Sequence, residues 1–116
     1  MIFSTDVQSA FHNFGGTGAT VNMVTGAARL KMIHLLPTDA KNSYVELFDD
    51  NDATGLPSDP TAIFFSGKQA SVVTHGIWIT VPGNGIRFNE GITVKATTSD
   101  IGSDETQMVT LIYQGS

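Results

Sequence analysis

The sequence predicts an all-β protein, a sandwich or barrel of about eight antiparallel strands with little or no helix. Segments rich in valine, isoleucine, threonine and aromatic residues recur along the chain, and their apolar positions alternate or form short runs. Such segments are typical of strands. Glycine, proline, asparagine and aspartate lie between most of them and indicate turns. The pattern therefore favours a sandwich over βαβ units.

The elements are predicted in order along the chain. Residues 1–18, with "MIFSTDV" and "AFHNFG", are expected to form an arm or a broken edge strand, and residues 19–116 the sandwich domain. "ARLKMIHLLP" is the longest apolar run and predicts a central strand that ends at Pro37. The other predicted strands are "ATVNMVT", "SYVELFD", "TAIFFSG", "GIWITVPG", "GIRFNEG", "GITVKATT" and "QMVTLIYQG".

The stretch "ITVPGNGIRFNEGITVKA", residues 79–96, predicts two reversals with a short strand between them. Pro82 has no backbone N–H and therefore ends the preceding strand. The two glycines that follow it tolerate the positive φ of a tight reversal. In the short strand, Ile86 and Phe88 are expected to share one face, and Arg87 to project from the other.

The composition limits the classes of function. The chain has 116 residues, which is a single-domain length, and no cysteine, so disulfides are excluded. Six basic residues against eleven acidic ones give a net charge of −5, so nucleic acid is not an expected partner. Neither a signal peptide nor a membrane span is expected, because the sequence has no basic leader and no long apolar run.

Two sets of side chains are candidates for chemistry. Asp50, Asp52 and Thr54 match the first half of a calcium loop, but Thr61 occupies the place of its bidentate glutamate. The alternative is an acidic surface loop whose side chains bind their own turns. His34 is expected on an apolar strand face with Leu30, Met32 and Leu36. No cofactor is expected apart from calcium. No G-x-S-x-G motif or other catalytic set is present in the sequence, so an enzyme is not expected.

Aromatic residues are the candidates for contact surfaces. Trp78 is expected to point outward with Thr80, either as a partner anchor or as a platform for a sugar, unless a loop covers it. Phe3, Phe11 and Phe14 lie in the N-terminal segment, which must dock on its own sheet or on a neighbouring subunit. Together with Arg87, these four aromatic residues are the predicted interface set.

The order of several segments is similar to that in small structural proteins of tailed bacteriophages, especially marine ones. The matching segments lie within residues 26–115 and are "GAARLKMIHL", "YVELFDD", "ITVPGNGIRFNEGITVKAT" and "VTLIYQG". The N-terminal segment has no counterpart in that group. The most specific part of the resemblance consists of Pro82, Gly83, Gly85, Ile86, Arg87, Phe88 and Gly91.

The resemblance implies a virion component with a β-sandwich or jelly-roll-like fold. Such proteins are often capsid decoration proteins, commonly trimers on the capsid exterior that stabilise the expanded shell. We therefore expect a homo-oligomer, a trimer by this resemblance, that is made in the host cytoplasm and binds the outer surface of the major capsid protein without catalysis. The alternative is a tail-associated module that binds a receptor or carbohydrate. Removal of residues 1–14 is expected to abolish particle binding and to leave the sandwich folded.

Overall fold

The computed structural model describes residues 6–16, 20–37, 43–67, 76–98 and 105–115. Within these ranges the protein has no helix and consists of nine strands in two packed antiparallel sheets. The predicted all-β sandwich is therefore confirmed. The strands are β1 Val7–Gly16, β2 Thr20–Thr25, β3 Ala28–Pro37, β4 Ser43–Asp49, β5 Ala62–Gly67, β6 Ile77–Thr80, β7 Ile86–Phe88, β8 Gly91–Thr98 and β9 Glu105–Gly115.

The strand order is that of a jelly roll. Sheet A has the order β1-β9-β3-β6, with β7 also paired to β3, and sheet B has the order β2-β8-β4-β5. The first strand pairs with the last, the second with the last but one, the third with β6 and β7, and the fourth with the fifth. A long hairpin that is rolled into two sheets gives this connectivity. The predicted central strand, β3, lies between β9 and the β6–β7 edge.

The N-terminal part of the chain belongs to the sandwich. Strand β1 pairs with β9 over ten consecutive residues without a register shift, so it is one continuous strand rather than two pieces. It lies at the edge of sheet A. The strand is continuous because a single alternation runs through it, with half-buried or buried Ala10, His12 and Phe14 directed toward sheet B and exposed residues between them.

The core lies between the inner faces of the two sheets. It is built from valine, leucine, isoleucine, alanine and phenylalanine side chains at alternating positions of the strands. Gln107 of β9 is also fully buried, and within the described part of the chain neither its Nε2 nor its Oε1 has a hydrogen-bond partner. The largest fully buried apolar side chains are Phe14, Phe88, Leu30, Ile33, Leu35, Leu47, Ile92 and Leu111.

A β-bulge at Lys31 changes the alternation of β3. The register between β3 and β9 shifts between Leu30 and Met32, so Leu30 before the bulge and Ile33 after it are both buried. The loop that separates β6 from β7 lies opposite this bulge, and the Val81 N–H donates to the Lys31 carbonyl at 3.0 Å. The extra residue in β3 is thus matched by an interruption in its partner, and both β6 and β7 remain paired with β3.

The turn between β7 and β8 is fixed to sheet B. Asp49, at the end of β4, accepts one hydrogen bond from the Asn89 N–H at 3.0 Å and another from the Glu90 N–H at 2.7 Å. The Glu90 carbonyl accepts from the Gly26 N–H at 2.9 Å. Hydrogen bonds to a carboxylate are stronger than those between neutral groups. The two predicted reversals are therefore anchored, one on β3 and the other on β4, and they hold β7 between them.

Candidate functional site

The outer face of sheet A brings two of the predicted contact residues into one cross-strand row. Phe11 of β1 lies opposite Thr110 of β9, Thr110 lies opposite His34 of β3, and His34 lies opposite Trp78 of β6. Directly opposed residues share a face, so all four side chains project from the same side of the sheet. Three strand spacings separate the ends of the row, about 14 Å. Phe11 is 62% exposed and Trp78 57% exposed.

Apolar side chains flank this row on both sides. Val7 is exposed, and the other members are half-buried. Their register partners place them on the same side as the row. Exposed apolar groups that are scattered singly need no explanation, but a contiguous set on one sheet face indicates an interaction surface. The flanking residues are Val7, Met32, Leu36, Met108 and Ile112.

Trp78 projects outward with Thr80, as predicted, and its role as a contact residue stays a prediction, whereas the prediction for His34 is partly wrong. Trp78 and Thr80 are exposed and Ile79 is half-buried, so the outward direction of Trp78 follows the alternation of β6. His34 does share a face with Met32, but that face is the outer one, and Leu30 lies on the inner face because of the bulge. The rings of His34 and Trp78 are in contact, with centroids 4.4 Å apart and planes at 39°.

Arginines occupy one end of the same face. Arg87 of β7 is exposed and lies directly opposite Arg29 of β3, so both guanidinium groups project from the outer side. The Arg87 Nε donates to the Asn89 Oδ1 at 3.1 Å. Among the strand residues that the structure describes on this face, none is a carboxylate. Like charges directly opposite each other repel, so an anionic group on a partner would relieve this repulsion.

One further member of the predicted interface set, Phe14, is not part of this face. Phe14 is fully buried in the core, where it lies opposite Gln107, so its prediction as a contact residue is wrong. It lies three positions after Phe11 and therefore projects from the other side of β1. Phe3 falls outside the described residues. Removal of residues 1–14 would take away Phe14 and most of the pairing between β1 and β9, so we expect it to destabilise the sandwich rather than leave it intact.

The acidic loop after β4 is built as a series of side-chain turns. The Asp50 Oδ1 accepts from the Asp52 N–H at 3.0 Å, and the Asp52 Oδ1 accepts from the Thr54 N–H at 3.1 Å. The Asp50 carbonyl accepts from the Asn22 Nδ2 at 3.1 Å and from the Thr93 Oγ1 at 3.0 Å, which fixes the loop on sheet B. No group of three or more His, Asp or Glu side chains with metal-binding geometry occurs in the described ranges. Calcium binding by Asp50, Asp52 and Thr54 stays a prediction.

A second exposed aromatic patch was not predicted. Phe65 of β5 is 69% exposed and contacts Tyr44 of β4, with ring centroids 5.4 Å apart. Ile63, two positions before Phe65, is also exposed, and all three residues project from the outer side of sheet B. The composition of the "AIFF" segment predicts a strand whose side chains lie in the core. Its alternate residues are exposed because they project from the outer face of sheet B, and the sequence does not reveal which residues lie on that face.

The fold and this face together define a β-sandwich with an exposed aromatic and apolar surface that ends in two arginines. No protein-family model matches the chain, and no curated protein matches its sequence. In the described part of the chain, no helix is long and apolar enough to cross a membrane.

Proposed function

We propose that this chain is a bacteriophage capsid decoration protein that self-associates and binds the outer surface of the major capsid protein, without catalysis. The observation that carries the proposal is the row of Phe11, Thr110, His34 and Trp78 on the outer face of sheet A. Large aromatic side chains surrounded by less exposed apolar ones are typical of the centres of protein interfaces. The resemblance to small structural proteins of tailed phages supports the identity of the partner.

Arg29 and Arg87 would add charge complementarity to the apolar contact between this face and the capsid. A capsid surface that places carboxylates opposite Arg29 and Arg87 would form bidentate pairs with them and fix the rotation of the bound protein. The aromatic row would supply most of the affinity, and the arginines the orientation. Because the partner is a lattice of identical subunits, several such contacts would act together when the protein is oligomeric.

The proposed location on the capsid is tested by counting the copies of this protein in each virus particle. Quantitative mass spectrometry of purified particles of the source virus is expected to give this chain in near-stoichiometric ratio to the major capsid protein. A few copies per particle would contradict decoration and would favour the second candidate, a tail-associated module that binds a receptor or carbohydrate. The contact between Trp78 and His34 favours that candidate, because an exposed tryptophan face can stack on a sugar ring. Absence from particles would contradict both.

The outer face of sheet A, with the row from Phe11 to Trp78, is the proposed docking face. It is tested by removing the Trp78 side chain. Trp78→Ala is expected to weaken binding to shells that lack this protein by about 2 kcal/mol or more, or roughly 30-fold, because truncation of a large aromatic anchor in an interface costs that much. The measurement is sedimentation of labelled protein with purified shells over a range of concentrations. Glycan binding that is lost in the same variant, without shell binding in the wild type, would favour the second candidate.

A matched control is available on the opposite side of the sandwich. Phe65 is also an exposed aromatic residue, but it projects from sheet B. Phe65→Ala is expected to leave shell binding unchanged within about twofold, which corresponds to less than 0.5 kcal/mol. If Phe65→Ala weakens binding and Trp78→Ala does not, the docking face lies on sheet B and the proposed face is wrong.

A further inference from the structure

Among the described residues, one of the two edges of strand β1 is open. The strand lies at the end of sheet A, and among the described residues it pairs with β9 alone, over all ten positions from Val7 to Gly16. In an antiparallel strand, the N–H and C=O groups of every second residue point toward a given neighbour. The groups that point away from β9 therefore form a row along the open edge, and such a row is a template for another strand.

This edge has none of the features that usually prevent strand addition. Residues 7–16 contain no Lys, Arg, Asp, Glu or Pro, and their pairing with β9 has no bulge. Other edge strands of the sandwich do have such features: β2 has a bulge between Asn22 and Val24, and β6 has only four residues and is followed closely by Pro82. Charges, prolines, bulges and short length are the devices by which proteins protect strand edges. Strand β1 is therefore a long edge suited to pairing.

The charge distribution favours a second copy of this chain as the added strand. The whole chain carries a net charge of −5, so two copies repel each other over most approaches. Strand β1 has no acidic or basic residue other than His12, so two β1 strands can approach without like charges in contact. Antiparallel pairing of identical strands also sets outer residues opposite outer residues. Phe11 of one copy would then lie beside Ser9, Phe11 or Asn13 of the other.

We propose that two copies of this chain, rather than the three that the resemblance implies, associate through their β1 strands, which pair antiparallel about a two-fold axis. The two A sheets then form one continuous sheet, and their outer faces become one surface with both Phe11 side chains near its middle. Such a contact is isologous and closes after two copies. It does not depend on what the outer face binds, so its test is separate from that of the capsid function.

Disulfide scanning tests the pairing directly, because the natural chain has no cysteine. In a two-fold antiparallel pair, only the residue at the centre faces its own counterpart, at a Cβ distance that a disulfide can bridge. Single cysteines are placed at Ser9, Ala10, Phe11 and His12, with Ser58→Cys in the exposed acidic loop as the control. One position is expected to cross-link on the order of a thousandfold faster than the control, because pairing raises the effective concentration from micromolar to millimolar.

Two measurements on the unaltered protein test the same pairing, so the proposal can be tested even if the cysteine variants do not fold. Sedimentation is expected to give twice the chain mass of 12.3 kDa. Amide exchange is expected to show protection at every residue of β1 rather than at alternate ones. A monomer with alternate β1 amides in rapid exchange would overturn the proposal. So would a trimer, equal cross-linking at all four positions, or cross-linking no faster than that of Ser58→Cys.

Discussion

Phe14→Ala is expected to lower the free energy of unfolding by about 3–5 kcal/mol, which is the usual cost of removing a buried phenylalanine. The Phe14 side chain is fully buried in the core, at the end of sheet A where Gln107 is also buried. Its loss leaves a cavity that β1, held by β9 on only one side, cannot close without giving up its pairing. Urea or guanidinium unfolding, followed by circular dichroism, measures the change.

The same strand supplies the control. Phe11 is 62% exposed on the opposite side of β1, so Phe11→Ala is expected to change the free energy of unfolding by no more than about 0.5 kcal/mol. The two variants remove the same atoms from the same strand and differ only in burial. If Phe11→Ala were the more destabilising variant, the two faces of β1 would be reversed and the docking face would be wrong.

Gly85→Ala is expected to destabilise the protein by about 3 kcal/mol or more, because positive φ and a steric clash act together. Gly85 has a φ of +82°, and a Cβ atom there would lie 2.3 Å from the Leu30 carbonyl oxygen. That oxygen cannot move away easily, because Leu30 lies between Tyr113 of β9 and Ile86 of β7. Thermal and denaturant unfolding both measure the loss.

Gly83 lies in the same turn, and a variant there separates the cost of positive φ from the cost of the steric clash. Its φ is +67°, but a Cβ atom there would meet nothing within 4 Å. Gly83→Ala is therefore expected to cost about 1–2 kcal/mol, the cost of the left-handed conformation alone. Equal losses in the two variants would show that the approach of the turn to β3 is looser than the structure has it.

Much of the fold could be predicted because most strands have a local sequence pattern, β-branched and aromatic residues bounded by turn residues. The bounds of β4 and β8 match the segments "SYVELFD" and "GITVKATT". The bulge at Lys31 could not be located from the sequence, because the second half of "ARLKMIHLLP" is apolar on both faces and the segment contains no glycine. A slip of one residue reverses every later side chain. That is why His34 lies on the outer face although Leu30, four positions earlier, lies in the core.

The candidate site was predictable in parts and not as a whole. Alternation in β6 was enough to place Trp78 outside, and Phe11 and Phe14 had to lie on opposite sides of β1 because three positions separate them. Which of the two phenylalanines is buried depends on the sheet that covers β1, and this is a long-range property. The row from Phe11 to Trp78 likewise depends on three strand registers that join distant parts of the chain.

The acidic and basic side chains of the described residues are unevenly distributed, although Lys95 lies opposite Glu46 on sheet B. The guanidinium pair occupies the outer side of sheet A, whereas Glu46, Asp49, Asp50, Asp52 and Asp59 belong to β4 or to the loop that follows it on sheet B. In the field of an acidic surface, such a dipole turns before contact, with the arginines leading. If the protein docks as proposed and its partner is acidic, the encounter would begin with the aromatic row already facing the partner.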